Sequence, residues 1–144
     1  MANPRITGFL ARGVSQEMGA IQQHLAQAHL VDLWGWSEVA EAERAAMAAA
    51  RARCERLMGR MFHHGVAPNA TQLPAVRLGR SCSEILRVHW RMAQDAARLY
   101  EEASTACARQ RAMDDSALFR TLLDQHLVWR QQVESELSAL ERKR

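Results

Sequence analysis

The sequence predicts an all-α chain folded as an antiparallel four-helix bundle, with a long crossover between the second and third helices. Three observations predict it. Apolar residues recur at helical spacing through four segments. Proline is confined to Pro4, Pro68 and Pro74, the last two in one stretch, so almost everything else is free to be helical. Two connections are short and the middle one is long, which makes two antiparallel hairpins joined by a crossover. A chain of 144 residues fits one domain, 1–144, with one sizeable core.

The first helix is expected over about 4–34. Ile6, Phe9, Leu10, Val14, Glu17, Ile21, Leu25 and Ala28 fall on one face. Trp34-Gly35-Trp36 ends it, because glycine accepts the left-handed turn at a helix C-terminus. Ser37 then caps a second helix over about 37–64. Its core, Ala45 to Ala50, has the best intrinsic propensity. His63-His64 offsets the dipole at its end, and Gly65 reads as the turn residue beyond it. Residues 65–80 form the long connection. Ser81-x-x-Glu84 is a capping-box pattern that opens a third helix over about 82–110. Ile85, Leu86, His89, Trp90, Ala93, Ala97 and Tyr100 give that helix its buried face. Asp114, Asp115 and Ser116 mark the start of a fourth helix, about 115–142. Its stripe is Leu118, Leu122, His126, Trp129, Val133, Leu137 and Leu140.

Composition narrows the functional classes. Hydrophobic residues make 48% and charged residues 24%, the balance of a soluble globular protein. The net charge is +3, and acidic residues are interleaved with the arginines. That pattern predicts a solvated mixed surface and argues against nucleic-acid binding. The one pure basic cluster is Arg142-Lys143-Arg144. Cys54, Cys82 and Cys107 are an odd number without CxxC spacing, so buried free thiols are expected in place of a disulfide framework or a zinc knuckle. No segment has the length of a signal-peptide core or a membrane span, and a cytoplasmic protein is expected.

Several strings resemble bacterioferritin. Leu10 to Ile21, LARGVSQEMGAI, is similar to that family's first helix, and Trp34-Gly35 to its close. Pro68-Asn69, Leu73 and Leu78-Gly79 resemble its crossover, Glu84-Ile85-Leu86-Arg87 its third helix, and Val133-Glu134-Ser135-Glu136-Leu137 the end of its fourth. The resemblance runs from Ile6 to Leu140. It implies a ferritin-like bundle in which four carboxylates and two histidines hold two iron ions, within cages that store iron as mineral.

In that register the ligand positions fall on Glu17, Ala50, Arg53, Ala93, His126 and Trp129. Only the first carboxylate, Glu17, is kept. The haem-ligating methionine falls on Arg51, and no haem is expected. Ala45 and Ala49 replace the iron-binding pair of the cage wall. A one-residue slip restores none of these sets. Alanine offers no donor, and arginine is always charged and does not ligate. The expected function is therefore a subunit of an iron-storage or sequestration assembly with a degenerate, non-catalytic ferroxidase centre. No cofactor is expected at the bundle centre, with iron as mineral where a cage forms.

A bare Glu17 in a core is costly. Arg53, facing it, is expected to supply the counter-charge, with His24 and His126 completing a polar network and Trp129 filling volume. A rival is a mononuclear metal site built from Glu17, His24 and His126. Met18 and Met47 lie near where a haem packs between subunits, and read as filler. Trp34 and Trp36 suit either helix packing or a partner surface. The family's fifth helix would begin about where the sequence stops, at Arg144, which leaves a dimer, a smaller assembly or a cage open. Partners are a homo-oligomer, or a hetero-oligomer with a catalytically competent bacterioferritin. The alternative readings are a repurposed four-helix interaction module unrelated to iron, and a metal enzyme of the wider ferritin-like group, which would need the same paired ligands.

Overall fold

The computed structural model describes residues 3–69 and 72–143. Arg144 of the basic cluster and Thr71 of the crossover lie outside them. Four helices follow in order: α1 (Pro4–Leu33), α2 (Ser37–His63), α3 (Cys82–Arg109) and α4 (Met113–Arg142). The chain divides into two compact units, Met1–Leu78 and Gly79–Arg144, each built on one helical hairpin. No helix among the described residues is long and apolar enough to cross a membrane.

In the first hairpin, Asn3 caps α1 by accepting a hydrogen bond from the Arg5 amide at 2.9 Å, and Pro4 occupies the first turn. The far end closes as the sequence predicts. Gly35 has φ +75°, its amide donates to Asp32, and the Trp36 amide donates to Val31. This pair of bonds is a Schellman turn. Trp36, not Ser37, occupies the position before α2, and no side chain caps that start. The tight turn consumes the residues a capping serine would need. α2 ends in the same way, with Gly65 at φ +75° and amides of Gly65 and Val66 donating to Phe62 and Met61.

The crossover is tied to α1 by two neighbouring contacts. A Cβ on Gly19 would lie 2.7 Å from Pro74 Cδ, so only glycine admits the proline ring there. One turn on, the Gln23 side-chain amide donates to the Arg77 carbonyl and accepts from the Arg77 amide, both at 2.8 Å. A buried glutamine thus satisfies the backbone of a segment that lacks regular structure.

In the second hairpin, Ser81 Oγ accepts from the Glu84 amide at 3.2 Å, as the capping box predicts. The reciprocal bond runs one residue earlier than usual, from the Arg80 amide to Glu84 Oε2 at 2.7 Å. α3 and α4 are joined by a third Schellman turn, in which Arg111 takes the left-handed position at φ 59°. α4 begins at Met113, two residues before the expected start. Asp115 and Ser116 lie inside the helix and are buried, and Ser116 Oγ donates to the Ser104 carbonyl at 2.9 Å.

The apolar stripes are largely as expected, with corrections. Leu25 and Trp90 are exposed. His24 and Gln27 take the inward positions on α1 instead. Trp90 lies at the surface, its indole N–H donating to Glu134 at 2.9 Å. Cys54 and Cys107 are buried thiols, but Cys82 is exposed at the start of α3.

Candidate functional site

The first hairpin buries two polar pairs between α1 and α2. Glu17 is 1% and Arg53 8% exposed. Arg53 Nε donates to Glu17 Oε1 at 3.0 Å. The carboxylate and guanidinium come from mid-helix positions, where the backbone is fully bonded and only side chains are available for pairing. Two turns along α1, His24 Nδ1 lies 2.8 Å from Glu43 Oε2, and both side chains are 1% exposed. Glu17 and His24 thus have different partners on α2, Arg53 and Glu43.

Glu43 is the residue the sequence reading overlooked. Its signal was present. Ala40, Glu43, Ala50, Cys54, Leu57 and Met61 make one buried stripe at spacings of three, four or seven, so Glu43 was a charge on an inward face.

Ala50 is fully buried beside Arg53 and Cys54 on the same stripe. Burial pushes the Cys54 thiol up, reinforced by the negative charge of Glu17 and then Glu55. Arg51 points to solvent and pairs with Glu55 one turn on, at 3.3 Å. Ala45 and Ala49 are exposed. Met18 and Met47 are half-buried. Trp34 and Trp36 pack edge to face, ring centres 4.9 Å apart, with Trp34 at the surface. His63 and His64 are also edge to face at the end of α2.

The second hairpin is filled with rings. Tyr100, fully buried on α3, stacks on Phe119 with centroids 5.8 Å apart and lies 5.6 Å from His126. His126 is buried and lies 6.1 Å from Trp129, which in turn lies 5.2 Å from His89. Trp129 is half-buried. Ala93 is fully buried on α3. Near the turn, burial and then the charge of Asp115 push the Cys107 thiol up to about 11.

No family model matches the chain. It is similar to the bacterioferritin of Brucella melitensis biotype 1, 24% identical over 120 residues, which are 83% of this chain and 74% of that protein. It is equally similar to the bacterioferritin of Rhodobacter capsulatus, 24% identical over 119 residues with the same coverage. A solved structure of the Rhodobacter capsulatus protein, with a metal-free dinuclear site and a haem iron, superposes with a TM-score of 0.94 at 22% identity, covering 99% of this chain and 89% of that one. The fold is the bacterioferritin four-helix bundle, and in sequence the chain stands as a divergent relative of the bacterioferritins.

Proposed function

We propose that this chain is a bacterioferritin-like subunit of a cytoplasmic iron-storage or sequestration assembly, in which the ferroxidase centre is degenerate and non-catalytic. The observation that carries the reading is the buried ion pair of Arg53 and Glu17. Two iron ions about 3.5–4 Å apart need bridging carboxylates. Of the former metal positions on the first hairpin, Glu17 is the one carboxylate, and its Oε1 already accepts from Arg53. Ala50 brings no donor. On the second hairpin, Ala93 brings none, and His126 and Trp129 are packed among aromatic rings. These residues do not fit a dinuclear iron centre. A metal cation about 4 Å from the guanidinium would be repelled by about 4 kcal/mol per unit charge at an effective dielectric near 20. The same repulsion weighs against a mononuclear site at Glu17.

Arg53 thus supplies the positive charge that a metal supplies in a competent centre. Arg51, exposed at the position of the haem methionine, offers no thioether, so the subunit carries no haem there. Its role is then to build a shell, alone or mixed with a competent bacterioferritin whose subunits oxidise the iron.

The test is ferrous oxidation by oxygen or peroxide, together with metal analysis of the purified protein. The wild-type chain is expected to oxidise ferrous iron no faster than buffer. The variant Ala50→Glu, Arg53→His, Ala93→Glu, His126→Glu and Trp129→His restores the missing ligand types and is expected to gain activity. Two metal ions bound per wild-type chain, lost on Glu17→Ala, would overturn the reading. Co-purification with a competent bacterioferritin, or iron mineral in an assembly of this chain alone, separates the two kinds of shell.

A further inference from the structure

The pair of His24 and Glu43 has no part in the ion pair that answers Glu17. Both side chains are 1% exposed, and His24 Nδ1 lies 2.8 Å from Glu43 Oε2. Gln27 follows His24 by three residues on α1, is also 1% exposed, and brings an amide oxygen to the same face. One helix thus offers an imidazole and an amide, and the other a carboxylate, all withdrawn from water. A buried carboxylate is costly unless positive charge answers it. The arginines that follow Glu43 on α2 as far as the central pair already have carboxylates of their own. Arg44 pairs with Asp32, Arg51 with Glu55 and Arg53 with Glu17.

We propose that His24, Gln27 and Glu43 hold one divalent first-row transition-metal ion between α1 and α2. An imidazole nitrogen with carboxylate and amide oxygens is a donor set that suits such an ion. Two ligand atoms about 2.1 Å from one ion lie about 3 Å apart at the right angle of an octahedral site, and about 3.4 Å apart in a tetrahedral one. The 2.8 Å between His24 Nδ1 and Glu43 Oε2 is close to the octahedral edge. The ion takes the place of the proton between these two atoms, and the carboxylate stays ionised. His24 lies two turns from Glu17, about 10 Å along α1. At that distance the Arg53 charge is weak, and Glu17 offsets it, so the repulsion that bars an ion from Glu17 does not bar one here. None of the three residues occupies a former di-iron position, so the site stands whether or not the assembly stores iron.

Refolding with Co²⁺ tests it, because ligands withdrawn from water are best loaded as the chain folds. The full chain is unfolded in urea, refolded with Co²⁺, dialysed, and read by metal analysis and visible absorption. One Co²⁺ per chain is expected, with the weak bands of a site of nitrogen and oxygen donors and no thiolate charge-transfer band. Chelator competition is expected to show affinity lowered about 100-fold or more by His24→Ala. Glu43→Gln keeps the volume and an oxygen but removes the charge, so it folds and is expected to lower affinity about 10-fold or more. Glu17→Gln is expected to keep the ion. Co²⁺ is expected to raise the urea midpoint of the wild-type chain and to leave that of His24→Ala unchanged. One ion weakened by Glu43→Gln and kept by Glu17→Gln supports the site and leaves the non-catalytic reading standing. A wild-type chain that retains no Co²⁺ would overturn the proposal, as would an ion held equally well by His24→Ala and Glu43→Gln. Two ions per chain lost together on Glu17→Ala would overturn both readings.

Discussion

The two hairpins close on the same turn and are filled by different chemistry. Between α1 and α2, polar group is matched to polar group: Glu17 with Arg53 and His24 with Glu43. Between α3 and α4, rings lie against rings, from Phe119 through Tyr100 and His126 to Trp129 and His89. A buried charge must be answered by one particular partner, whereas an aromatic interior tolerates exchange at similar volume. The first hairpin is therefore the more specified of the two. Its stability should depend on pairs, and that of the second on packed volume.

The largest effect should come from splitting the central pair. Arg53→Ala strands the Glu17 carboxylate, and Glu17→Ala strands the guanidinium, so each should cost roughly 3–5 kcal/mol in urea unfolding. Replacing both, as Glu17→Leu with Arg53→Met, should recover most of that loss. Additive losses would mean that the two groups do not act as a unit.

Next comes Glu43→Ala. It removes the buried partner of His24 and should cost about 1.5–3 kcal/mol, the range for a hydrogen bond to a charged group. Glu41→Ala, on an exposed position two residues away, serves as the control and should change little.

The second hairpin should respond to alkali. The Cys107 thiol is held up at about 11, above its ordinary value of 9.0, by burial and then by Asp115. Its contribution to stability is intact below the unfolded thiol's value, where both states keep the proton. It is lost as pH rises toward the folded value, because the unfolded chain ionises first. Unfolding curves between those limits should show a falling midpoint, and Cys107→Ala should flatten the slope. An unchanged slope would place the alkaline loss elsewhere.

The smallest effect separates the two turns. Gly35 takes the left-handed position in one and Arg111 in the other, at φ +75° and 59°. A side chain is strained there and glycine is not. Arg111→Gly should stabilise the chain by roughly 0.5–1 kcal/mol, and Gly35→Arg should destabilise it by somewhat more. Equal and negligible changes would show that the turns are not under conformational strain.

Much of the molecule was readable from the sequence. Helix extents followed from apolar periodicity, the rarity of proline and two turn glycines, because each acts through its own local backbone. Arg53 opposite Glu17 was also readable, through the resemblance to bacterioferritin, which sets both residues on ligand positions of one centre. The cap of α2 and the start of α4 were misread. Serine and aspartate look like caps, yet in both hairpins the Schellman turn already fixes where the next helix begins. Arg111 in a position that favours glycine carried no local signal at all.

The sequence by itself determined the four helices and their order, because periodicity and the turn residues are local properties. Only the tertiary structure decided where the other buried polar groups meet. That His24 takes Glu43, that Gln23 holds the backbone of Arg77, and that Pro74 rests on Gly19 depend on how far each helix is rotated and slid against its neighbour. Rotation and slide are set by the packing of all the side chains together, and no short stretch of sequence contains them.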